Sequence, residues 1–297
     1  MIRALVVIVS ALLAFAAVVS ASSLTILYTN DLHVRLGRLD SVAELIAQER
    51  STDDPVLLLD AGDTWQDFRT PLAAVWGAEK VVDWMNRVGY DAMALGNHDL
   101  YWGADVLAAL CERASFPVLC ANLRPSAGIA PPFVPYTIVL VGELEVLVVG
   151  LITAEYLPYP DFPWLRYMPP IAALQDILDT HSERADLVVA VGHLPVADAT
   201  RIVRSVPGVD VFLTGHSHEV TVEPVRVGDT LILQAGAFGH FLGRLRLELD
   251  AETGDILSAK NDLLPTKKTP VRLDRGYLRL FQICVLIGCL SLLCSLN

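Results

Sequence analysis

The sequence contains few cysteines and few basic residues, and both shortages limit what the protein can be. Of the five cysteines among 297 residues, only Cys111 and Cys120 precede residue 280. Neither has zinc-ribbon spacing, and we interpret both as buried thiols, with a disulfide as the alternative for an exported chain. Lys and Arg number 22 against 34 Asp and Glu, for a formal net charge of −12. Because an acidic surface repels polyanions, we expect no nucleic-acid partner.

Both ends of the chain are apolar. Residues 4–19 form an uncharged run after Arg3 and before Ser20-Ala21-Ser22, which predicts a secretory signal peptide over residues 1–21, with an uncleaved anchor as the alternative. A basic linker at 263–279 precedes an apolar tail at 280–297. This tail reaches the lower length limit of a membrane span. A removable anchor signal and a shifted reading frame are the alternatives. We expect an exported protein, periplasmic or at the cell surface, with the tail as a candidate membrane anchor.

Between these ends, short β-branched runs alternate with stretches of helical spacing, and neither an internal repeat nor a low-complexity segment occurs. This alternation predicts a single α/β domain over residues 22–262. A proline- and aromatic-rich loop is predicted at 156–170 and a hairpin around Gly142. Antiparallel strands are predicted at 225–234 and 242–250. The other predicted strands are 24–28, 55–59, 90–95, 117–121, 186–191 and 209–213, and the helices are 39–50, 73–88, 104–114 and 171–184.

Short polar motifs follow the predicted strand ends, where an open α/β sheet places its ligand crevice. They supply seven oxygen or nitrogen ligands and one further histidine, His98, in Asp31-x-His33, Gly62-Asp63, Gly96-Asn97-His98-Asp99, Gly192-His193 and Gly215-His216-Ser217-His218. Such a set can hold two divalent metals about 3.5–4 Å apart, an arrangement suited to phosphoryl transfer. Asp63 can bridge both ions, and the absence of a thiolate favours Mn, Fe, Co or Zn in a nitrogen and oxygen site.

Over residues 24–250 these five motifs, in this order, resemble the calcineurin-like metallophosphoesterases, and within them the 5′-nucleotidase group. The resemblance implies a layered α/β/β/α sandwich with mixed sheets. It implies that a metal-bridging hydroxide attacks phosphorus in line, while His98 faces the phosphate, stabilises charge and protonates the leaving oxygen. It also implies that Asn30 contacts the substrate or orients the site. The implied ligands are Asp31, His33, Asp63 and His218 for one ion, and Asp63, Asn97, His193 and His216 for the other.

The chain departs from that group at three places. Asp67 stands where the group usually has glycine, and Tyr101 stands where an aspartate usually pairs with the motif histidine. We therefore consider Asp99 as the residue that orients His98 and include it among the catalytic candidates. The linker and apolar tail stand where full 5′-nucleotidases carry a second domain that grips the base.

These observations predict an exported dinuclear phosphohydrolase acting on a small phosphorylated substrate, with nucleoside 5′-monophosphates first. Bound metals reverse the local field of an acidic chain, so an anionic substrate is compatible with the net charge. The alternatives are a phosphodiesterase of cyclic nucleotides or nucleotide sugars, a thiosulfohydrolase-like enzyme, and a non-catalytic metal-binding module. His181 is predicted to be a solvated helix residue and His240 to be structural, with a position lining the cleft as the alternative for His240. Trp65, Tyr101 and Trp102 either line the pocket or pack beneath its loops.

Overall fold

The computed structural model describes residues 21–66, 71–126, 128–251 and 253–269. Residues 1–20 of the predicted signal peptide, Asp67, most of the basic linker and the apolar tail lie outside the described residues. Ala21 opens the first strand.

Fourteen strands and five α-helices occupy the described residues. The helices are α1 Leu36–Glu49, α2 Pro71–Val88, α3 Ala104–Arg113, α4 Pro170–His181 and α5 Val196–Ser205. The strands are β1 Ala21–Thr29, β2 Val56–Asp60, β3 Ala92–Ala94, β4 Val118–Leu119, β5 Leu123–Pro125, β6 Tyr136–Val141, β7 Leu144–Ile152, β8 Leu165–Tyr167, β9 Leu187–His193, β10 Val211–Thr214, β11 Val225–Val227, β12 Thr230–Leu233, β13 Phe241–Asp250 and β14 Ile256–Pro265.

These strands form two six-stranded mixed sheets. The first has the order β14-β13-β1-β2-β3-β4 and the second β11-β12-β10-β9-β7-β6, while β5 pairs with β8 separately. In the first sheet, β1 to β4 are parallel, and β13 runs antiparallel to both β1 and β14. In the second, β7, β9, β10 and β12 are parallel, with antiparallel edge strands β6 and β11. Helical crossovers connect the parallel strands except β10 and β12, between which the chain passes through β11.

Side chains alternate between two apolar environments along the central strands, as strand geometry requires. Leu24, Ile26 and Tyr28 pack between the two sheets, whereas Leu27 packs against α1, α2 and α3. The outer face of the second sheet is covered by α4 and α5. The layers are therefore helix, sheet, sheet and helix, which confirms the predicted fold class. Burying each large aliphatic side chain contributes about 1.5–3 kcal/mol, so these three apolar layers hold the sheets face to face.

The carboxyl ends of strands from both sheets meet at one edge of this sandwich. The N–H of Asp31, after β1, donates to the carbonyl of Gly62, after β2, at 2.8 Å. From the second sheet, the His216 N–H, after β10, donates to Asp31 Oδ2 at 3.0 Å. Loops that are distant in sequence are thus joined directly, and the predicted motifs lie on them.

Several observed elements differ from the predicted ones, among them β5 at Leu123–Pro125, which was not predicted. The predicted loop at 156–170 contains β8, whose order comes from pairing with β5. Residues 225–234 form a hairpin, β11–β12, in the second sheet, with Gly228 in its turn at φ +60°. Helix α5 was not predicted, although its buried positions have helical spacing. Strand β14 was also not predicted and continues to Pro265, because pairing with β13 stabilises a sequence with many polar residues.

Two further findings concern cysteines and membranes. Cys111 and Cys120 are free thiols, the second of them buried, which confirms the predicted thiol state. Within the described parts of the chain, no helix combines the length and apolar character of a membrane-spanning segment.

Candidate metal centre

Five of the seven predicted ligands have left-handed backbone conformations. The φ angles of Asp31, His33, Asp63, His216 and His218 lie between +47° and +71°. Non-glycine residues are uncommon there, and each such position costs on the order of 1–3 kcal/mol, so it persists where the surroundings impose it. Here hydrogen bonds between the loops impose it, because the N–H of His33 donates to the carbonyl of Asp63 at 3.0 Å and the N–H of Phe238 to that of Asp31 at 2.7 Å.

The motif glycines allow these loops to approach one another. A Cβ at Gly96 would lie 2.1 Å from Asp63 Oδ1 and 2.3 Å from the Asp63 nitrogen. A Cβ at Gly215 would lie 2.8 Å from both the Ala61 carbonyl oxygen and His193 Nδ1. No side chain fits at either distance, so the glycines belong to the geometry of the site itself.

One ligand group comprises Asp31, His33 and His218. His218 Nε2 lies 3.2 Å from Asp31 Oδ1 and 3.3 Å from His33 Nε2, and the His33–Asp31 separation is 3.6 Å. Ligand bonds of 2.0–2.2 Å to a tetrahedral ion place neighbouring ligand atoms about 3.4 Å apart. The three atoms therefore have the spacing of ligands that share one ion. His33 Nδ1 is hydrogen-bonded to the carbonyl of Gln66 at 2.9 Å, which leaves the Nε2 lone pair directed into the group.

The second ligand group comprises Asp63, His193 and His216. His193 Nε2 lies 3.1 Å from Asp63 Oδ2, and His216 Nδ1 lies 3.1 Å from Asn97 Oδ1. Both separations fall in the range of two ligands on one ion. Asn97, which the motifs also predict as a ligand, thus directs its carbonyl oxygen toward the same side of the site as His216.

The Asp63 carboxylate lies between the two groups. Its Oδ2 is 3.1 Å from His193 Nε2 and 4.0 Å from His33 Nε2, and it is also 3.9 Å from His98 Nε2. Its Oδ1 accepts the backbone N–H of His98 at 2.8 Å. His33, Asp63 and His98 form a third group with metal-ligand spacing. The His98 side chain is 26% exposed, in contrast to the buried His33 and His193.

The surroundings of His193 fit a cation. Its Nδ1 is hydrogen-bonded at 2.8 Å to the Ala61 carbonyl, which can only accept, so Nδ1 carries a hydrogen. Its Nε2 is buried and faces the Asp63 carboxylate at 3.1 Å. Burial alone would lower the pKa of this imidazole, yet the negative charge of Asp63 raises the pKa to about 10. A position that favours positive charge so strongly suits a bound divalent ion, which replaces the proton.

The neighbouring histidines also shift the pKa of the Asp31 carboxyl. Burial favours its neutral form, but hydrogen bonds from His218 and His33 outweigh burial and hold the pKa of Asp31 below its usual range. Asn30 lies behind this carboxylate. Its Nδ2 donates to Asp31 Oδ2 at 2.7 Å, and its Oδ1 accepts the N–H of Ala235 at 2.9 Å. Because Asn30 is 3% exposed, this geometry favours a role in orienting Asp31 over direct contact with a substrate.

Asp99 is fully buried beneath the same loops. Its two oxygens accept four backbone N–H groups at 2.8–3.1 Å, those of Asp63, Thr64, Trp65 and Gly96. Burial and the charge of Asp63 raise the pKa of Asp99 to about 7. This arrangement favours a role in fixing the Asp63 loop over the orienting role on His98 that we considered from sequence.

Three residues that the sequence did not single out contact the predicted site residues. Gln66 Oε1 lies 3.2 Å from His98 Nδ1, so Gln66 helps to orient this imidazole. Glu155 Oε2 lies 3.0 Å from His216 Nε2. Phe238 packs its ring against those of His33 and His218 at 5.4 and 5.1 Å. All three lie outside the motifs, and no local pattern distinguishes them.

The remaining aromatic and histidine candidates divide between site and core. Trp65 is fully buried in the helix-side core, so it packs beneath the loop. Trp102 is half-buried, and its Nε1 donates to the Trp65 carbonyl at 3.4 Å. Tyr101 packs edge-on against His98, with 5.1 Å between ring centroids. His181 packs against Tyr136 at 4.3 Å and His240 is exposed, neither of them in a ligand group.

The family model and the relatives found by comparison with known proteins agree with one another. The model of the family described as calcineurin-like phosphoesterase matches residues 24–220. The snake venom 5′-nucleotidase of Gloydius brevicauda is 34% identical over 290 residues, covering 82% of this chain and 48% of its own length. Human 5′-nucleotidase is 32% identical over 296 residues, covering 84% and 50%.

A solved structure of a 5′-nucleotidase precursor from Thermus thermophilus superimposes with a TM-score of 0.72 at 25% identity, covering 82% of this chain and 54% of that one. The chain thus spans about half the length of the curated relatives it matches.

Proposed function

This chain belongs to the calcineurin-like phosphoesterase family, whose members are metal-dependent hydrolases, and we propose that it is an exported dinuclear phosphohydrolase of nucleoside 5′-monophosphates. The observation that carries the proposal is the position of Asp63. Its Oδ2 lies 3.1 Å from His193 in one ligand group and 4.0 Å from His33 in the other. A carboxylate between two such groups supports a pair of ions with a shared ligand.

The residues present fit two divalent ions of Mn, Zn, Co or Fe. Asp31, His33, Asp63 and His218 would hold one, and Asp63, Asn97, His193 and His216 the other. Bound ions would supply Lewis acidity toward the phosphoryl oxygens and lower the pKa of a coordinated water. Buried imidazoles whose Nδ1 atoms are held by the carbonyls of Ala61 and Gln66 present fixed Nε2 lone pairs, so little reorganisation accompanies binding.

His98 is the proposed catalytic side chain. It is a partly exposed imidazole that belongs to neither predicted ion's ligand set, and its Nδ1 is 3.2 Å from the Gln66 side-chain oxygen. That oxygen accepts an N–H whether the ring is neutral or charged, so Gln66 keeps Nε2 directed toward the substrate in both states. The charged ring can donate its Nε2 proton to the leaving oxygen. Asn30 and Asp99 are then positioning residues, the first for Asp31 and the second for the Asp63 loop.

The proposed substrate class rests on the relatives, which are named 5′-nucleotidases. The chain covers about half of each, so this assignment depends on the half that it shares with them. A small phosphate ester suits the site because two divalent ions would outweigh the two buried carboxylates locally. Export is proposed from the signal-peptide pattern at residues 1–21. Mass spectrometry of protein recovered from the exported fraction should give a mature N-terminus close to Ser22.

Hydrolysis assays on the metal-loaded full chain test the proposal. The substrates are AMP, p-nitrophenyl phosphate, bis-p-nitrophenyl phosphate and a thiosulfonate ester. We expect release of phosphate from AMP, two metal equivalents per chain by elemental analysis, and loss of both in Asp63→Asn. His181→Asn, a histidine outside the ligand groups, is the matched control and should retain both.

The other outcomes separate the alternatives. Preference for the bis-ester would indicate a phosphodiesterase, and cleavage of the thiosulfonate alone a thiosulfohydrolase. Stoichiometric metal without turnover of any substrate would indicate a binding module and would refute the proposed hydrolase.

A further inference from the structure

The loop that follows β7 holds a tyrosine in an unusual state beside the metal centre. The Tyr156 side chain is 73% exposed, and its backbone φ is +57°. Its ring centroid lies 6.2 Å from that of the predicted ligand His216, with the two planes inclined at 38°. A large aromatic group is thus presented to solvent at the edge of the site.

Neither the positive φ nor the exposed ring of Tyr156 stabilises the folded protein. A bulky residue at positive φ is a conformational outlier, and an exposed aromatic ring leaves most of its apolar surface in water. Backbone strain of this kind concentrates at ligand sites, where the surrounding structure imposes it. The exposed ring and the strained backbone therefore indicate that Tyr156 contacts a ligand.

Hydrogen bonds connect the loop that holds Tyr156 to predicted ligands of the metal centre. Tyr101 donates its hydroxyl hydrogen to the carbonyl of Tyr156 at 2.6 Å and accepts Nδ2–H of Asn97 at 3.3 Å. On the other side, Glu155 Oε2 lies 3.0 Å from His216 Nε2. Tyr101, which binds the Tyr156 carbonyl, contacts Asn97, and Glu155, which precedes Tyr156, contacts His216. Both Asn97 and His216 are predicted ligands of the second ion. The backbone from which the ring projects is thus held beside the ligands of that ion.

This arrangement depends on Tyr101, a position at which the sequence departs from the family pattern. It occupies the position where the resemblance leads us to expect an aspartate paired with the motif histidine. Here the residue packs edge-on against His98 at 5.1 Å and uses its hydroxyl to join Asn97 to the Tyr156 carbonyl. An aspartate side chain is too short to do both, so the departure at residue 101 and the presentation of Tyr156 belong together.

We propose that Tyr156 is a specificity-determining residue that stacks on the planar aromatic part of the leaving group, which is the base in a nucleotide, and that Tyr101 is its positioning residue. The inference rests on the proposed function and names the part of the substrate that this chain recognises with its own residues. Stacking on a ring face tolerates any base, so it selects phosphate esters whose leaving group carries an aromatic ring over those whose leaving group has none.

Kinetics of Tyr156→Ala test this assignment. The quantity compared is the ratio of kcat/KM for AMP to that for ribose 5-phosphate, because both carry the same phosphate ester and differ by the base. Loss of one stacking contact should lower this ratio about tenfold, through KM for AMP with kcat nearly unchanged. Tyr156→Phe keeps the ring and should retain the ratio, and Tyr101→Phe, which lacks the hydroxyl, should lower it about threefold.

The matched control is Leu140→Ala. Leu140 is 69% exposed and pairs with Glu145, at the opposite end of β7 from Tyr156. Truncating it removes a comparable exposed apolar group far from the metal centre, and the ratio should not change.

A binding experiment separates this inference from the proposed function. Calorimetric titration with the non-hydrolysable phosphonate analogues of AMP and of ribose 5-phosphate gives the same comparison without turnover. If the chain hydrolyses no ester but Tyr156→Ala removes a tenfold preference for the AMP analogue, the proposed function fails and the inference stands. If the preference in either assay is unchanged in Tyr156→Ala, or if binding of both ligands weakens equally, the inference is wrong.

Discussion

Replacing Asp99 with asparagine tests whether one buried carboxylate holds the loop of the central aspartate in place. Oδ1 of Asp99 accepts the N–H groups of Thr64 and Trp65 at 3.1 and 2.8 Å. Oδ2 accepts those of Asp63 and Gly96, both at 2.9 Å. An asparagine keeps one acceptor oxygen and turns an NH₂ group toward the other two donors. Whichever way the amide is oriented, two buried backbone N–H groups lose their acceptor.

The cost follows from those two donors. A buried donor left without a partner costs about 1–3 kcal/mol, so the pair costs about 2–6 kcal/mol before any relaxation. That is a large part of the roughly 5–15 kcal/mol by which a domain is stable. Two effects recover part of the cost. Asparagine removes a buried charge that burial and Asp63 disfavour, and the loop can move so that the donors reach water. Such a movement shifts Asp63, and metal affinity should therefore fall at least tenfold.

Two measurements check this prediction at pH 8, above the pKa of about 7 to which burial and the Asp63 charge raise Asp99. Urea unfolding in excess chelator gives the stability without a contribution from metal binding. Competition with a chromophoric chelator gives the metal affinity. Asp210→Asn is the matched control, because Asp210 accepts the single backbone N–H of Val188 at 2.8 Å on the second sheet, and an asparagine oxygen can replace it.

We expect the control to lose about 1 kcal/mol or less and to bind metal normally. If Asp99→Asn unfolds within 1 kcal/mol of the wild type, the hydrogen-bond argument is refuted. If it is destabilised by several kcal/mol yet binds metal as tightly as the wild type, Asp99 does not position Asp63.

Four further predictions concern other parts of the molecule. Removing metal with a chelator should lower Tm by about 5–10 °C, the effect of a ligand at about 100 times its Kd on a domain of this size, and adding Mn²⁺ or Zn²⁺ should restore it. Glu155→Gln removes the charge that contacts His216 Nε2, and competition titration should show metal affinity about tenfold weaker. Gly96→Ala places a Cβ 2.1 Å from Asp63 Oδ1, so the purified variant should contain less than one metal equivalent by elemental analysis. In a variant with the three tail cysteines changed to serine, both remaining thiols should resist a disulfide reagent at pH 8 until the protein is unfolded, because burial raises the pKa of each to about 12.

The architecture could be predicted where hydrophobic periodicity was strong. The alternation of strand and helix patterns correctly placed the parallel strands β1 to β4, β9 and β10, because buried parallel strands form continuous apolar runs. Strand β12, which is parallel to β10, was instead predicted as part of one antiparallel strand at 225–234. Strand β14 gave no such signal. Its sequence includes Lys260, Asn261 and Asp262, and its order comes from pairing with β13 along ten residues. Local propensity does not contain that information.

Within the metal centre, the residue types could be predicted and their supporting contacts could not. Asp31, His33 and His218 were recognised from motifs, and the structure brings their ligand atoms within 3.6 Å of one another. The contacts of Gln66 with His98 and of Glu155 with His216 join residues 32 and 61 positions apart. A glutamine or glutamate on a loop resembles any solvated residue until the fold places it against a ligand.

The positive φ angles of the ligand residues relate the predicted residue types to the contacts that hold them in place. At Asp31, His33 and Asp63 the chain adopts positive φ after the end of a strand, and the side chains of all three approach one another there. Glycines elsewhere in the motifs could adopt this conformation without cost, but they supply no ligand. The site therefore needs polar side chains in a conformation that costs on the order of 1–3 kcal/mol each, and interloop hydrogen bonds offset that cost. Because these bonds stabilise the loops without any ion, the ligand atoms are already close together in the folded chain. The site should consequently bind metal without large rearrangement.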